Sequence, residues 1–128
     1  MILLDTCALL WLVNDPKKLS PKATQAIKEN SMVLHVNAIT FWEIGSKQRL
    51  GKLKIKNFSV EEWSKIVIKD YRLKLIDINS SIALRASSLE LHHRDPCDRF
   101  IIASALEHKL PIVTADEAFH NYSVKIIW

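Results

Sequence analysis

Residues 92–106, HHRDPCDRFIIASAL, fix how the rest of the chain is read. Asp95 is an N-cap residue type, and Pro96 suits the first helical position, where a missing N–H is no loss. A helix is therefore predicted to start here and run to about His108. Phe100, Ile101, Ile102, Ala103, Ala105 and Leu106 leave almost no polar face beyond its first turn, which suits a helix buried between a sheet and its neighbours. Asp98 thus stands as a carboxylate at the mouth of a core element. Alone, Asp95 and Asp98 need do no more than complement the helix dipole. Their further meaning depends on which other acids the fold brings beside them.

Working outward, Ile2 to Leu4 is a short apolar strand that stops at Asp5. Thr6 to Val13 is a helix-compatible apolar segment ended by Asn14, Asp15 and Pro16. Ser20 and Pro21 open a second helix with Ala23, Ala26 and Ile27 on one face, and Met32 to Val36 is the next strand. Asn37 caps a helix from Ala38 to Leu50, stopped by Gly51, that carries Ile39, Phe41, Trp42 and Ile44 around a single acid, Glu43. Ser59 and Glu62 form a capping box for a helix whose stripe is Val60, Trp63, Ile66 and Val67. Leu73 to Ile78 reads as a strand near a sheet edge, and Asn79 to Glu90 as a helix. Beyond the central helix come a strand at Leu110 to Val113, Asp116 just after it, and a last strand at Val124 to Trp128. Trp42 and Trp63 are assigned to the core, Cys97 to close packing, and His92 and His93 to an exposed loop.

Strands alternating with helices, only two glycines and short connections predict one three-layer α/β domain over residues 1–128, with a mainly parallel sheet flanked by helices. Such sheets bind ligands outside the carboxyl ends of their strands. Asp5 and Asp116 fall there, and the helices bearing Glu43 and Asp98 should start there. Four acids from distant segments are expected to converge.

The 128 residues, 48% of them hydrophobic, suffice for one core. Two cysteines form neither a disulfide framework nor a CxxC knuckle, and the five histidines lack ligand spacing around them. MILLD is no signal peptide, and no apolar run approaches the roughly 20 residues of a membrane span. A soluble cytoplasmic protein with no membrane partner is expected. Net charge is +4, but with four acids gathered in a pocket the remaining surface sets 18 basic residues against 10 acidic ones, a net of +8. That surround would suit a polyanion; for Lys52, Lys54 and Lys56 a solvated side chain with no partner is the alternative reading.

Four carboxylates in one cleft cannot all stay ionised without a counter-charge. Oxygen ligands without thiolate or imidazole suit Mg2+ or Mn2+, and the chemistry that needs such a site is phosphoryl transfer by an activated water.

Four blocks in order carry a resemblance along Met1 to Trp128: LLDTCALLW, NAITFWEIGSKQRLGKL around Glu43, HHRDPCDRFIIASA around Asp98, and LPIVTADEAFHNYSVKIIW. Together they resemble the PIN-domain nucleases, and among them the VapC-type toxins of toxin-antitoxin pairs. The resemblance implies that Asp5, Glu43, Asp98 and Asp116 are metal-binding catalytic acids, with Thr6, Arg99 and Thr114 holding or flanking them. It implies cleavage of single-stranded RNA with Mg2+ or Mn2+, a homodimer, and an inhibitory antitoxin protein as partner. Two positions depart from the pattern. Cys7 stands where related chains often carry His, and Ala118 where many carry a further acid or polar residue, with Glu117 as its neighbour.

Other classes fit less well. A dehalogenase-type phosphatase needs a second acid at the position of Cys7, and a receiver domain needs an acid within Leu34 to Asn37 and a lysine within Thr114 to Asp116. The stronger rival is a non-catalytic PIN-like module that binds RNA or protein, which keeping all four acids argues against.

Overall fold

The computed structural model describes all 128 residues. Five strands form one sheet: β1 (Ile2–Leu4), β2 (Leu34–Asn37), β3 (Lys74–Ile76), β4 (Ile112–Val113) and β5 (Ile126–Ile127). Their order is β3-β2-β1-β4-β5, and every neighbouring pair is parallel. Six helices connect them: α1 (Thr6–Asn14), α2 (Pro21–Glu29), α3 (Ile39–Arg49), α4 (Val60–Asp70), α5 (Ser80–Ser88) and α6 (Pro96–His108). The expected α/β architecture is what forms, with β3 at an edge. β1 has the expected bounds, the other four strands are shorter than expected, and two 3-10 turns, Pro16–Lys18 and Glu117–Asn121, were not foreseen.

The period of two along β1 builds the three layers. Ile2 and Leu4 pack with Ala8, Leu9, Ile44, Trp63 and Val67 on one face, whereas Leu3 packs with Ile82, Ile101, Ile102 and Phe119 on the other. The α5 and α6 helices cover that second face. Local chemistry sets the ends of these elements. Asp95 accepts from Cys97 N ahead of Pro96, Ser59 and Glu62 complete the capping box, and Gly51 ends α3 at φ +72°. Asn37 closes β2 and its Oδ1 accepts from Ile39 N at 2.7 Å, but the helix begins one residue later than expected, with Ala38 rather than Asn37 at the N-cap position.

Two apolar assignments are corrected. Trp42 is 63% exposed, because α3 turns Thr40, Glu43 and Ile44 inward and Trp42 falls on the opposite side of the helix. Ile66 is also exposed and lines a groove of about 600 Å3 with Val13, Ile55, Phe58 and Tyr71, beside Lys54 and Lys56. Trp63 is buried, as expected.

Candidate functional site

The carboxyl ends of β1 and β4 meet the first halves of α3 and α6 at a cleft of about 320 Å3. Asp5, Glu43, Asp98 and Asp116 all line it, with Thr6, Cys7, Trp11, Lys47, Asp95 and Ala115. The four acids expected to converge are thus together.

Asp5 ends β1 and caps α1. Its Oδ1 accepts from Ala8 N at 2.7 Å and its Oδ2 from Thr114 Oγ1 at 2.5 Å. Burial pushes its carboxyl up to about 6, against the pull of those two donors, and Glu43 and Asp116 push the same way. Thr6 shares a buried hydroxyl contact with Thr40, 3.1 Å between Oγ1 atoms, which ties the start of α1 to α3.

Glu43 is 8% exposed, and its Oε2 accepts from Lys47 Nζ at 2.7 Å. Its Oε1 is buried without any partner. Such an orphan acceptor normally costs about 1 to 3 kcal/mol, so it marks a place where a ligand can contribute. Lys47, four residues on along the same helix, is its counter-ion, and its hydrogen bond to Glu43 holds its own pKa above the usual lysine value.

Asp98, in the first turn of α6, has its carboxyl raised to about 7 by burial and then by Asp95, with Asp5 and Glu43 adding to the effect and His93 opposing it. His93 Nε2 lies 2.8 Å from Asp98 Oδ2 and 2.9 Å from Asp116 Oδ2. This corrects the expectation of an exposed loop: the His93 side chain is only 13% exposed. His92 is exposed, as expected. Asp116 is itself exposed; its Oδ1 accepts from Ala118 N, and its own N–H donates to Thr114 Oγ1. Thr114 therefore links the first acid to the fourth.

Arg99 does not touch the acids. Its guanidinium donates to the backbone carbonyls of Ala86, Leu89, Glu90 and His93 at 2.7 to 3.0 Å, fastening the loop between α5 and α6. Cys7 and Cys97 have thiols raised to about 11, by burial first and then by the neighbouring carboxylates, so neither is a thiolate at neutral pH. Cys97 is buried, as expected, whereas Cys7 is exposed at the cleft. Sequence reasoning missed His93, Lys47 and the cleft-facing place of Asp95. For Lys47 the i,i+4 spacing from Glu43 was a usable signal.

A family model of the PIN domain matches residues 2–125. The chain belongs to the PIN domain family. This PIN domain is 30% identical over 122 residues to Ribonuclease VapC22 of Mycobacterium tuberculosis, covering 94% of this chain and 91% of that one. Its fold resembles VapBC2 from Rickettsia felis, solved bound to a promoter DNA fragment, at TM-score 0.71 and 18% identity over 98% of this chain and 97% of the other. It also resembles a toxin-antitoxin complex from Klebsiella pneumoniae at TM-score 0.69 and 19% identity, over 100% of this chain and 97% of that chain. No helix of this PIN domain is long and apolar enough to cross a membrane.

Proposed function

We propose that this PIN domain is an endoribonuclease that cleaves single-stranded RNA with Mg2+ or Mn2+, and that it is the toxin of a toxin-antitoxin pair. The single observation that carries the reading is the cleft where Asp5, Glu43, Asp98 and Asp116 meet, with Glu43 Oε1 buried and unpartnered. That orphan oxygen and the carboxylate-rich donor set fit a hard divalent cation. The 30% identity to a protein named a ribonuclease supports RNA as the substrate.

In this reading Asp5, Glu43, Asp98 and Asp116 hold the ion. When bound, Mg2+ or Mn2+ supplies an activated water and neutralises charge on the phosphoryl oxygens. The chain's own residues do the positioning. Thr114 fixes Asp5 and, through the Asp116 N–H, the loop after β4. Lys47 holds one oxygen of Glu43 and leaves the other for the ion. The proposal includes a homodimer and an antitoxin protein that inhibits cleavage, as the sequence resemblance implies.

The test is cleavage of a single-stranded RNA by the purified chain and by Asp98→Asn prepared identically. Cleavage in Mn2+ that stops with EDTA and is lost in Asp98→Asn is the expected result. Full activity in Asp98→Asn would remove Asp98 from the site.

A further inference from the structure

The loop between α5 and α6 is fastened more heavily than a connection needs. Besides the four carbonyls held by Arg99, Tyr122 Oη donates to Glu90 O at 2.6 Å and accepts from His93 N at 2.8 Å. The His93 ring packs edge-on against the buried Phe119, with centroids 5.5 Å apart at 80°. Its Nδ1 accepts from Asp95 N at 3.2 Å, which places the ring's proton on Nε2. That nitrogen hydrogen-bonds Asp116 Oδ2 at 2.9 Å and lies 2.8 Å from Asp98 Oδ2.

We propose that His93 is a positioning residue of the acid cleft: its Nε2–H donates to Asp116 Oδ2 while the same nitrogen stands against Asp98 Oδ2, and so the ring holds two acids from different segments in the arrangement that receives the cation. This rests on the metal-site reading above. A donor between two carboxylates offsets their repulsion and fixes which oxygen of each remains for a ligand. The same three side chains could be read as a His-Asp-Asp ligand set, since their donor atoms lie within 4.8 Å of one another. Ligation through Nε2 needs that atom free of its proton, and moving the proton to Nδ1 would set it against the Asp95 N–H. His93 therefore orients ligands and is not one. Neither composition nor periodicity reveals this, because it depends on the path of a seven-residue loop.

The experiment compares the full chain with His93→Ala and His93→Gln. Glutamine keeps an N–H donor near the place of Nε2, and alanine removes it. Calorimetric Mn2+ affinity should fall about 10- to 100-fold in His93→Ala and largely recover in His93→Gln. With single-stranded RNA, kcat should fall while KM stays within about twofold, as expected when positioning rather than substrate binding is lost. In the 15N-labelled parent, His93 Nε2 should carry its proton without metal and keep it when Mg2+ is added. Unchanged Mn2+ affinity in His93→Ala, equal losses in the Gln and Ala variants, or loss of the Nε2 proton on adding Mg2+ would each overturn the proposal. A parent that binds no Mn2+ would instead refute the metal-site reading, and the protonation of Nε2 in the metal-free protein would still decide for or against the bridge.

Discussion

At Glu43 a buried carboxylate has one oxygen on a half-exposed lysine and the other on nothing, and this asymmetry predicts its mutant. Glu43→Gln strands no buried cation, because the Lys47 side chain is 41% exposed and can return to water. It also relieves repulsion with Asp5 and Asp98. Urea melts in EDTA should therefore shift by no more than about 1 kcal/mol, while Mn2+ affinity and RNA cleavage fall. A loss of about 3 to 5 kcal/mol with normal cleavage would mark a structural ion pair instead. Asp5 and Asp98 predict a pH dependence of definite sign. Their native carboxyls are raised to about 6 and about 7, so the folded state binds protons that the unfolded chain has already released. Stability of the metal-free protein is full below about pH 4 and is lost as pH rises through 6 and 7, on the order of 3 kcal/mol for Asp5 alone. Urea midpoints at pH 5 and pH 8 should show this in EDTA and should reverse in saturating Mg2+, which binds the ionised form. Equal midpoints in EDTA would mean the carboxyls are not buried as described. Asp5 and Asp98 were legible because they sit at a strand end and in a helix's first turn, Asp116 because it closely follows β4, and Glu43 because it is the single acid among the apolar residues of α3. His93 was not, since its neighbours Asp98 and Asp116 are set by loop path and tertiary packing.

Among the elements, the α5–α6 connection depends on one side chain. Arg99 satisfies four backbone carbonyls and is 9% exposed, so Arg99→Ala removes this donor from the largely buried carbonyls of Ala86, Leu89 and His93, while Glu90 O keeps Tyr122 Oη. A loss of about 3 kcal/mol or more is expected by chemical denaturation, and Arg99→Lys should recover only part of it, since one ammonium cannot span four carbonyls. A loss under about 0.5 kcal/mol would show that water replaces the guanidinium freely. Element type and order were readable because caps and apolar periodicity agree at α2, α4 and α6, with proline at N1 of α2 and α6. The amphipathic reading failed at Trp42 and Ile66 for a physical reason. Helices α3 and α4 carry more apolar residues than one packed face can bury, so the excess stands at the surface or in the groove by Phe58. Strand lengths were overread, because β4 and β5 pair over only two residues each before the chain turns away.

Over the whole molecule, charge is partitioned: acids crowd the cleft, while Lys52, Lys54 and Lys56 and most other basic residues are exposed. Single-stranded RNA should therefore bind more weakly as salt rises, with log K falling linearly in log salt; a flat dependence would mean that the basic surface takes no part. The central claim is that the cleft is a divalent-metal site existing only in the folded state, and it is tested most directly by calorimetric titration of Mn2+ combined with thermal melting. Binding with a stabilisation of about 2.7 kcal/mol at a hundredfold excess over Kd, and a clear loss of both in Asp98→Asn, is the predicted result. No heat of binding and a melting temperature indifferent to millimolar Mn2+ and Mg2+ would contradict it.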